Sequence, residues 1–464
     1  MRPTKLSLKL LTAILSSGIL SFLGILDETA TTVTFPLLTR EFAITTGQVQ
    51  WVNTIVLLVI AIIVPLSSQI KLKFSTKHIF LVGISIFILG LLLDIVSPRF
   101  DLLLVGRALQ GIGTGIGLPL MYNIILEKVP KDRLDFLMGI GTMITAAAVA
   151  IGPVFGGIVT QLLNWRWIFI FSLILGLIGL IGGLTSIPEL TKSPTKISFR
   201  FFQWTWLSMA LILLMVGFTN IIKKSLFSFQ AGGLIILGCI SLSIWLRLSW
   251  KDKNALIHPN IFKDIHFSMQ LICYCLAKIT TLALGFILPI YIQLVNYGSV
   301  SLSGWLLLPG AIGDALMAAA GGKILAKKGA RLPIMIGTIA SLSSLLIFIL
   351  LDKHLSNMVL LLLYVLYYSG YGMSFSCLMT SGLTSLPKKE QAQGNAVYNT
   401  LQQFSGALGT ALAGRILANS QANKHLTLSQ STTQGGRWIF IVLTTLTIAN
   451  LILGSIFIPK KKEN

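Results

Sequence analysis

Arg166-Trp167-Ile168-Phe169-Ile170 recurs as Arg437-Trp438-Ile439-Phe440-Ile441, each copy at the head of an apolar run. Working outward, other landmarks keep the same order. A basic stretch with Lys71, Lys73 and Lys77, then Pro130-Lys131-Asp132, precede the first copy. A basic stretch from Lys323 to Arg331, then Pro387-Lys388-Lys389, precede the second. One five-residue match can be chance, but an ordered set of matches reads as a duplicated unit.

The unit is built of membrane spans. Of 464 residues 54% are hydrophobic and 11% charged, more apolar surface than a soluble core can use. Runs of about 20 apolar residues are long enough to cross a bilayer, and in hydrocarbon such runs must satisfy their own backbone polar groups, so they are helices. Fourteen candidate spans follow, at 10–36, 48–70, 78–97, 101–126, 136–161, 165–187, 204–222, 231–249, 267–294, 301–322, 332–351, 357–385, 394–418 and 437–458. The expected fold is an all-α polytopic membrane protein with a six-helix bundle in 1–190, two inserted spans with their linkers in 191–264 and a second six-helix bundle in 265–464. The longest external loop is expected at 419–436, and no soluble domain fits between spans. Two facing halves suit a transporter that opens a central site alternately to either side.

The net charge of +21 would suit nucleic acid if it were spread over a soluble surface. With alternating spans and a cytoplasmic amino terminus, most Lys and Arg fall on the cytoplasmic side, where they set orientation and meet anionic lipid headgroups. Lys460-Lys461-Lys462 agrees with a cytoplasmic carboxyl terminus. Nucleic acid is therefore not an expected partner; membrane lipid is. The basic start with Arg2, Lys5 and Lys9 resembles a signal peptide, but its apolar stretch runs on into Asp27 and Glu28 without a small-residue cleavage site, so it reads as a retained first span. Cys239, Cys273, Cys275 and Cys377 lie in apolar runs with no metal-ligand or disulfide-framework spacing. Gly322-Lys323 is followed by Ile324, so the phosphate-cradling Gly-Lys-Ser/Thr loop is missing and no nucleotide is expected as energy source. The five histidines fall in loops or at span ends, which leaves carboxylates to carry protons. No cofactor or metal is expected, and neither is an enzyme: Gly313-Asp314 lacks the Gly-x-Gly-Asp form of intramembrane aspartyl proteases because Ala311 stands at the first glycine.

Charged groups inside spans are costly and are functional candidates by default. Asp27 and Glu28 are adjacent in the first span and are followed by Thr29, Thr31, Thr32 and Thr34. Neighbouring helical positions point about 100° apart, so one acid can face a central cavity and the other a neighbouring helix; in the alternative, the span is shorter and both lie in an external loop. Arg107 needs a carboxylate partner if buried, and Asp27, at comparable depth, is the expected one; the alternative is an Arg that snorkels to the headgroups. Asp314 sits mid-span, and with Lys278 it forms either a structural ion pair or part of proton coupling. Gly113, Gly115 and Gly117, and Gly152-Pro153-Val154-Phe155-Gly156-Gly157, bring helices close together. Aromatic and amide residues within spans can line a pocket for lipophilic cations: Trp51, Asn53, Tyr122, Asn123, Tyr291, Gln293, Tyr371, Phe375, Tyr398, Asn399, Gln402 and Gln403.

These residues resemble the major facilitator superfamily, and within it the fourteen-helix drug:proton antiporters. Leu26-Asp27-Glu28-Thr29-Ala30-Thr31-Thr32-Val33-Thr34-Phe35-Pro36 is similar to that group's first-helix motif, with Gln50-Trp51-Val52 following in place. Arg107-Ala108-Leu109-Gln110-Gly111-Ile112-Gly113 resembles its fourth-helix motif, and Ala148 to Gly157 its fifth-helix antiporter motif, with Ala148 where the first glycine usually stands. The stretch from Ser67 to Lys77 keeps the basic charge of the loop between spans two and three but not its Asp and Gly, a variant like that of the lincomycin-resistance branch. What the resemblance implies is a bacterial plasma-membrane exporter that exchanges small-molecule drugs for protons, with Asp27 and Arg107 in proton coupling; Glu28, which departs from the motif, and Asp314 are expected to join them as acids within spans, and the chain is expected to be monomeric. A proton-coupled importer or a lipid exporter of the same fold is the rival reading.

Overall fold

The computed structural model describes residues 7–130, 133–187, 200–221, 227–252, 255, 257–351 and 354–458. The boundary expected near 190, together with Lys131, Asp132 and Lys460 to Lys462, lies outside the described residues. All regular structure among the described residues is helical: α1 (Leu8–Thr32), α2 (Phe35–Glu41), α3 (Thr46–Val49), α4 (Trp51–Lys73), α5 (Thr76–Val96), α6 (Phe100–Lys128), α7 (Leu134–Leu162), α8 (Arg166–Ser186), α9 (Phe201–Ile221), α10 (Leu234–Lys251), α11 (Ile265–Leu294), α12 (Val300–Lys328), α13 (Arg331–Leu350), α14 (Asn357–Ser385), α15 (Gln391–Gln421) and α16 (Leu428–Phe457). A π-helical turn, Phe229–Gly233, leads into α10.

Fourteen of these helices are long enough to cross a bilayer, and thirteen are also apolar enough. The exception is α15, whose 31 residues rise about 46 Å but carry Gln, Asn and Gly throughout. It is wrapped by α3, α4, α9, α11 and α16, and Gln402, Gln403 and Thr410 turn to the space between the helices, so its mid-span polar groups have protein or that space to face, which an apolarity count misses. The chain is a multi-pass membrane protein.

Three boundaries differ from expectation for readable reasons. The first span ends at Thr32 rather than 36 because Pro36, early in α2, cannot donate to the preceding turn; Thr34 instead caps the break, donating from Oγ1 to the Thr31 carbonyl at 2.7 Å. The second span starts after a bend: Thr45 and Gln48 form a capping box that opens α3, and α4 follows at Trp51. The loop expected at 419–436 is reduced to 422–427, since α15 runs to Gln421 and a second capping box, Thr427 with Gln430, starts α16 at Leu428. Arg437 therefore lies inside α16, whereas its counterpart Arg166 begins α8.

Helices α1 and α4 to α8 pack on one another, as do α11 to α16, while α9 and α10 pair and touch the rest through α4 and α15. The two groups of six meet along α7 with α12 and along α4 with α15. Glycine makes the first seam possible. A Cβ on Gly157 would stand 2.9 Å from the Ser301 Cα, and one on Gly304 would stand 2.1 Å from the Pro153 carbonyl. The opposite face of α7 lies against α1, where a Cβ on Gly156 would meet the Ala30 carbonyl at 2.3 Å and one on Gly152 the Leu26 carbonyl at 3.1 Å. Pro153 within α7 leaves the Val149 carbonyl without its helical donor. Small residues thus give α7 two close-packed faces.

Candidate functional site

A cavity of about 290 Å³ lies between the two groups of six helices. The first group contributes Glu28, Thr29 and Thr32 from α1, Asn53 from α4 and Pro153 from α7. The second contributes Lys278 and Thr281 from α11, Asp314 from α12, Tyr364, Tyr368, Tyr371 and Phe375 from α14, and Gln402, Gln403 and Thr410 from α15.

Helix phase divides the adjacent acids. Glu28 lines the cavity, while Asp27 is wholly buried and turned to α8, where its Oδ1 accepts a 2.5 Å hydrogen bond from Ser172 Oγ. Its Oδ2 has no hydrogen-bond partner among the described residues. Both acids lie within α1, so the external-loop alternative falls.

Arg107 is also wholly buried and does not snorkel. Its Nε donates to the Val52 carbonyl at 3.2 Å, Nη1 to Gln110 Oε1 at 2.6 Å, and Nη2 to Asn53 Oδ1 at 3.4 Å and Thr31 Oγ1 at 3.5 Å. The expected direct pair with Asp27 is not made. Thr31, one helical turn beyond Asp27 on the same face of α1, occupies the place at the guanidinium, while Phe169 of α8 lies 5.8 Å below the cation. The carboxylate joined to Arg107 through a single side chain is Asp94 of α5. It is reached through an amide: Gln110 Nε2 donates to Asp94 Oδ2 at 2.7 Å. Sequence reasoning missed Asp94, although the same rule that singled out Asp27, an acid within an apolar run, applies to Leu91-Leu92-Leu93-Asp94-Ile95-Val96.

The network reaches the cavity through Asn53. Its Oδ1 accepts from Thr31 Oγ1 at 2.9 Å, and its Nδ2 donates to the Glu28 carbonyl and to Thr32 Oγ1, both at 2.9 Å. Polar side chains therefore connect Asp94 with the wall that carries Glu28.

Across the cavity, Lys278 lines the same wall region as Asp314 and shares the cavity with Glu28 of the first group. Among the described residues no ion pair within 4 Å joins the three, so of the two readings of Lys278 and Asp314 the contact pair is not made, and the lysine lies on the cavity with a carboxylate from each half. Gly372 makes room for Asp314, since a Cβ there would stand 2.5 Å from its Oδ1. Tyr364, Tyr368, Tyr371 and Phe375 recur at helical spacing on one face of α14, with ring centroids 4.2, 6.1 and 4.6 Å apart in turn. Tyr364 and Tyr368 escaped the sequence reading although that spacing extends the face of Tyr371 and Phe375. Tyr274 stacks on Phe375 at 4.0 Å and donates to Gln402 Oε1 at 2.8 Å.

Of the expected pocket residues, Asn53, Tyr371, Phe375, Gln402 and Gln403 line the cavity. The others are placed elsewhere. Tyr398 is buried against Phe267 and Tyr274, and Asn399 is bonded back to Asn395. Gln293 ties α11 to the first group of helices, donating to the Val33 carbonyl at 2.8 Å. Tyr291 belongs to the apolar core, Tyr122 packs against that core, and Trp51 packs against a second one. Asn123 is half-buried on α6 away from the cavity. Interface and core packing claim these side chains because spans in a bundle bury polar and aromatic groups for reasons other than binding.

The Major Facilitator Superfamily model matches residues 18–410. The lincomycin resistance protein LmrB of Bacillus subtilis (strain 168) is 29% identical over 98% of this chain and 97% of its own length. LmrB of Listeria monocytogenes is 29% identical over 86% of this chain and 85% of its own. Among solved structures, a bacterial homologue of the human lysosomal transporter Spinster, in an inward-facing and unoccupied conformation, superposes with a TM-score of 0.68 at 12% identity over 98% of both chains. A peptide transporter POT in complex with sulfate superposes with a TM-score of 0.68 at 17% identity over 96% of this chain and 93% of that one. With a family model covering most of its length and the duplicated bundle around one central cavity, this chain belongs to the Major Facilitator Superfamily and is a transporter, not an enzyme.

Proposed function

We propose that this transporter exports lipophilic cationic drugs across the plasma membrane in exchange for protons, by alternating access of the central cavity. The observation that carries the reading is the cavity's make-up: a carboxylate from each half, Glu28 and Asp314, one shared lysine, and the aromatic face of α14. Two acids and one lysine leave a formal single negative charge. One proton or one monovalent cation balances it, so the two compete, and competition between proton and drug is all that exchange requires. Aromatic faces attract cations by about 0.5–2 kcal/mol each, most strongly when desolvated, which suits lipophilic substrates. The names of the LmrB relatives agree with drug export.

The same reading gives the conformation a direction. Contacts between the halves cluster at one end: Thr46 Oγ1 to Gln421 Oε1 at 2.8 Å, Thr54 to Thr410 at 3.0 Å, Gln293 to Val33, and the Ser301 amide to Gln161 Oε1 at 3.2 Å. Lys71, Lys73, Lys128, Lys327, Lys328 and Arg331 end or begin helices at the other end. The positive-inside rule makes that basic end cytoplasmic, so the chain is closed outside and rests inward-facing, with both termini in the cytoplasm. The test is reconstitution in liposomes, following a cationic dye and internal pH together under an imposed proton gradient. Uphill dye movement with matching proton counterflow is expected, and dye movement with no pH change would defeat the reading.

A further inference from the structure

We infer that Asp94 is a positioning residue for Arg107, holding the guanidinium in place through Gln110 while Asp27 and Glu28 exchange protons. The inference rests on the proton-exchange reading above and deepens it.

Asp94 is wholly buried near the end of α5. Its Oδ2 accepts from Gln110 Nε2, which fixes the amide so that Gln110 Oε1 faces Arg107. Were the amide reversed, two acceptors would face each other on one side and two donors on the other, so the carboxylate sets the amide's orientation and the amide sets the guanidinium's. Its Oδ1 has no hydrogen-bond partner among the described residues and lies where Gly106 lacks a side chain, 1.9 Å from the Cβ an alanine would have. The glycine before Arg107 is thus the seat of this acid. Gly90 lets α5 and α6 approach at the same level, since a Cβ there would meet the Gly106 carbonyl at 2.6 Å.

Other charged groups near Asp94 are few. Arg107 comes from α6 and Asp27 from α1, both acting on its charge. From α8, Arg166 donates to the Ser97 carbonyl beyond it and pairs with Glu41 at 2.7 Å. Asp94 does not line the cavity, so substrate does not displace its partner. Asp27 and Glu28 can then change protonation while Arg107 keeps its place in the network.

The experiment is an infrared pH titration of the purified protein in liposomes, following the carbonyl stretch of protonated carboxyl groups, with Asp27→Asn and Glu28→Gln identifying their bands. In Asp94→Asn the field of Arg107 falls undivided on Asp27 and Glu28 and favours their charged forms. Their bands should disappear at lower pH than in the parent protein, by about one unit. Asp94→Asn combined with Gln110→Glu moves the counter-charge one link along, onto the group already 2.6 Å from Arg107, and should restore the parent titration. Superimposable titrations of Asp94→Asn and the parent would overturn the inference. If Asp94→Asn cannot be recovered folded, the double variant decides: a folded protein with the parent titration supports the inference, while a shifted titration or failure to fold makes Asp94 a folding residue and overturns it. Dye and proton exchange by the parent protein in the same liposomes tests the export reading separately, because the infrared bands need no substrate.

Discussion

On the first half of the molecule Arg107 spends its donors on four acceptors and is sealed from the cavity, whereas on the second half Lys278 opens onto the cavity with no ion pair within 4 Å among the described residues. The guanidinium is planar and presents a fixed fork of donors, so it suits a network of set geometry; an ammonium is a point charge on a flexible stem and suits a site that must adapt to different ligands. The first half therefore keeps a rigid polar device beside its cavity wall, and the second offers a loosely held charge beside aromatic rings.

The largest expected effect comes from breaking the rigid side. Arg107→Ala removes donors from Val52, Gln110, Asn53 and Thr31 at once and strands Asp94, so drug efflux in vesicles should fall by about 100-fold or more, consistent with about 3–5 kcal/mol for a broken buried pair. Arg107→Lys should recover little, because one ammonium cannot reproduce the fork. Efflux within a few-fold of the parent in either variant would remove Arg107 from the mechanism.

Next in size is the seam where the two halves meet. Bulk on the two faces of α7 should act differently: Gly157→Val presses on Ser301 of the other half, while Gly156→Val presses on Ala30 of the same half. Gly157→Val should leave a folded protein that exchanges substrate at least about 10-fold more slowly, because the close packing that closes one end is lost. Gly156→Val should instead lower thermal stability by about 1–3 kcal/mol, the usual cost of overpacking. Equal loss of stability in both, with exchange unchanged, would mean that the seam does not close during transport.

Much of this arrangement was legible from residues alone. The Arg-Trp-Ile-Phe-Ile repeat gave the duplication, and α7's Gly-Pro run gave close packing, although only the structure separates Gly157, on the seam between halves, from Gly156, packed within one. The adjacent acids gave two directions, since 100° per residue is fixed by helix geometry. What sequence could not give was the phase between helices. Depth alone suggested Asp27 as the partner of Arg107, but rotation of α1 puts Thr31 there and leaves Asp94 as the carboxylate linked to it, through Gln110. Tyr291, Gln293 and Tyr398 have the same composition as cavity residues, and only rotation about their helices separates them from Tyr371 and Gln402. Asp94, Tyr364, Tyr368 and the capping box at Thr427 were legible signals that went unread.

A smaller and more selective effect separates the two acids. Glu28→Gln takes one negative charge from the cavity wall and should weaken efflux of a cationic dye by about 10-fold while leaving a neutral drug within about 2-fold, the difference expected when a partly buried charge partner is lost. Asp27→Asn keeps an acceptor for Ser172 but holds no exchangeable proton, so proton-driven efflux of both substrates should fall alike. A Glu28→Gln variant that loses neutral and cationic substrates equally would reverse the division of labour.

The smallest expected effect lies on the adaptable side, and it tests whether the tyrosines bind substrate or only fill space. Tyr371 stacks on Phe375 at 4.6 Å and sits 6.1 Å from Tyr368, whose hydroxyl donates to the Thr281 carbonyl at 3.3 Å. Tyr371→Phe retains the ring and its stacking, so efflux of a cationic dye should change by less than about 2-fold. Tyr371→Leu keeps an apolar side chain but removes the ring face, and the loss of one cation–π contact of about 0.5–2 kcal/mol should raise the dye's apparent KM by about 2- to 30-fold. The maximal rate should stay near the parent value, because the ring is held by its neighbours in this state and is not a group that exchanges protons. A neutral aromatic drug supplies the control: it stacks on a ring but gains nothing from a cation, so its KM should rise less than the dye's. If both substrates weaken equally in Tyr371→Leu, the face of α14 contributes shape rather than attraction for positive charge, and selection for cations then falls on Glu28 and Asp314 alone.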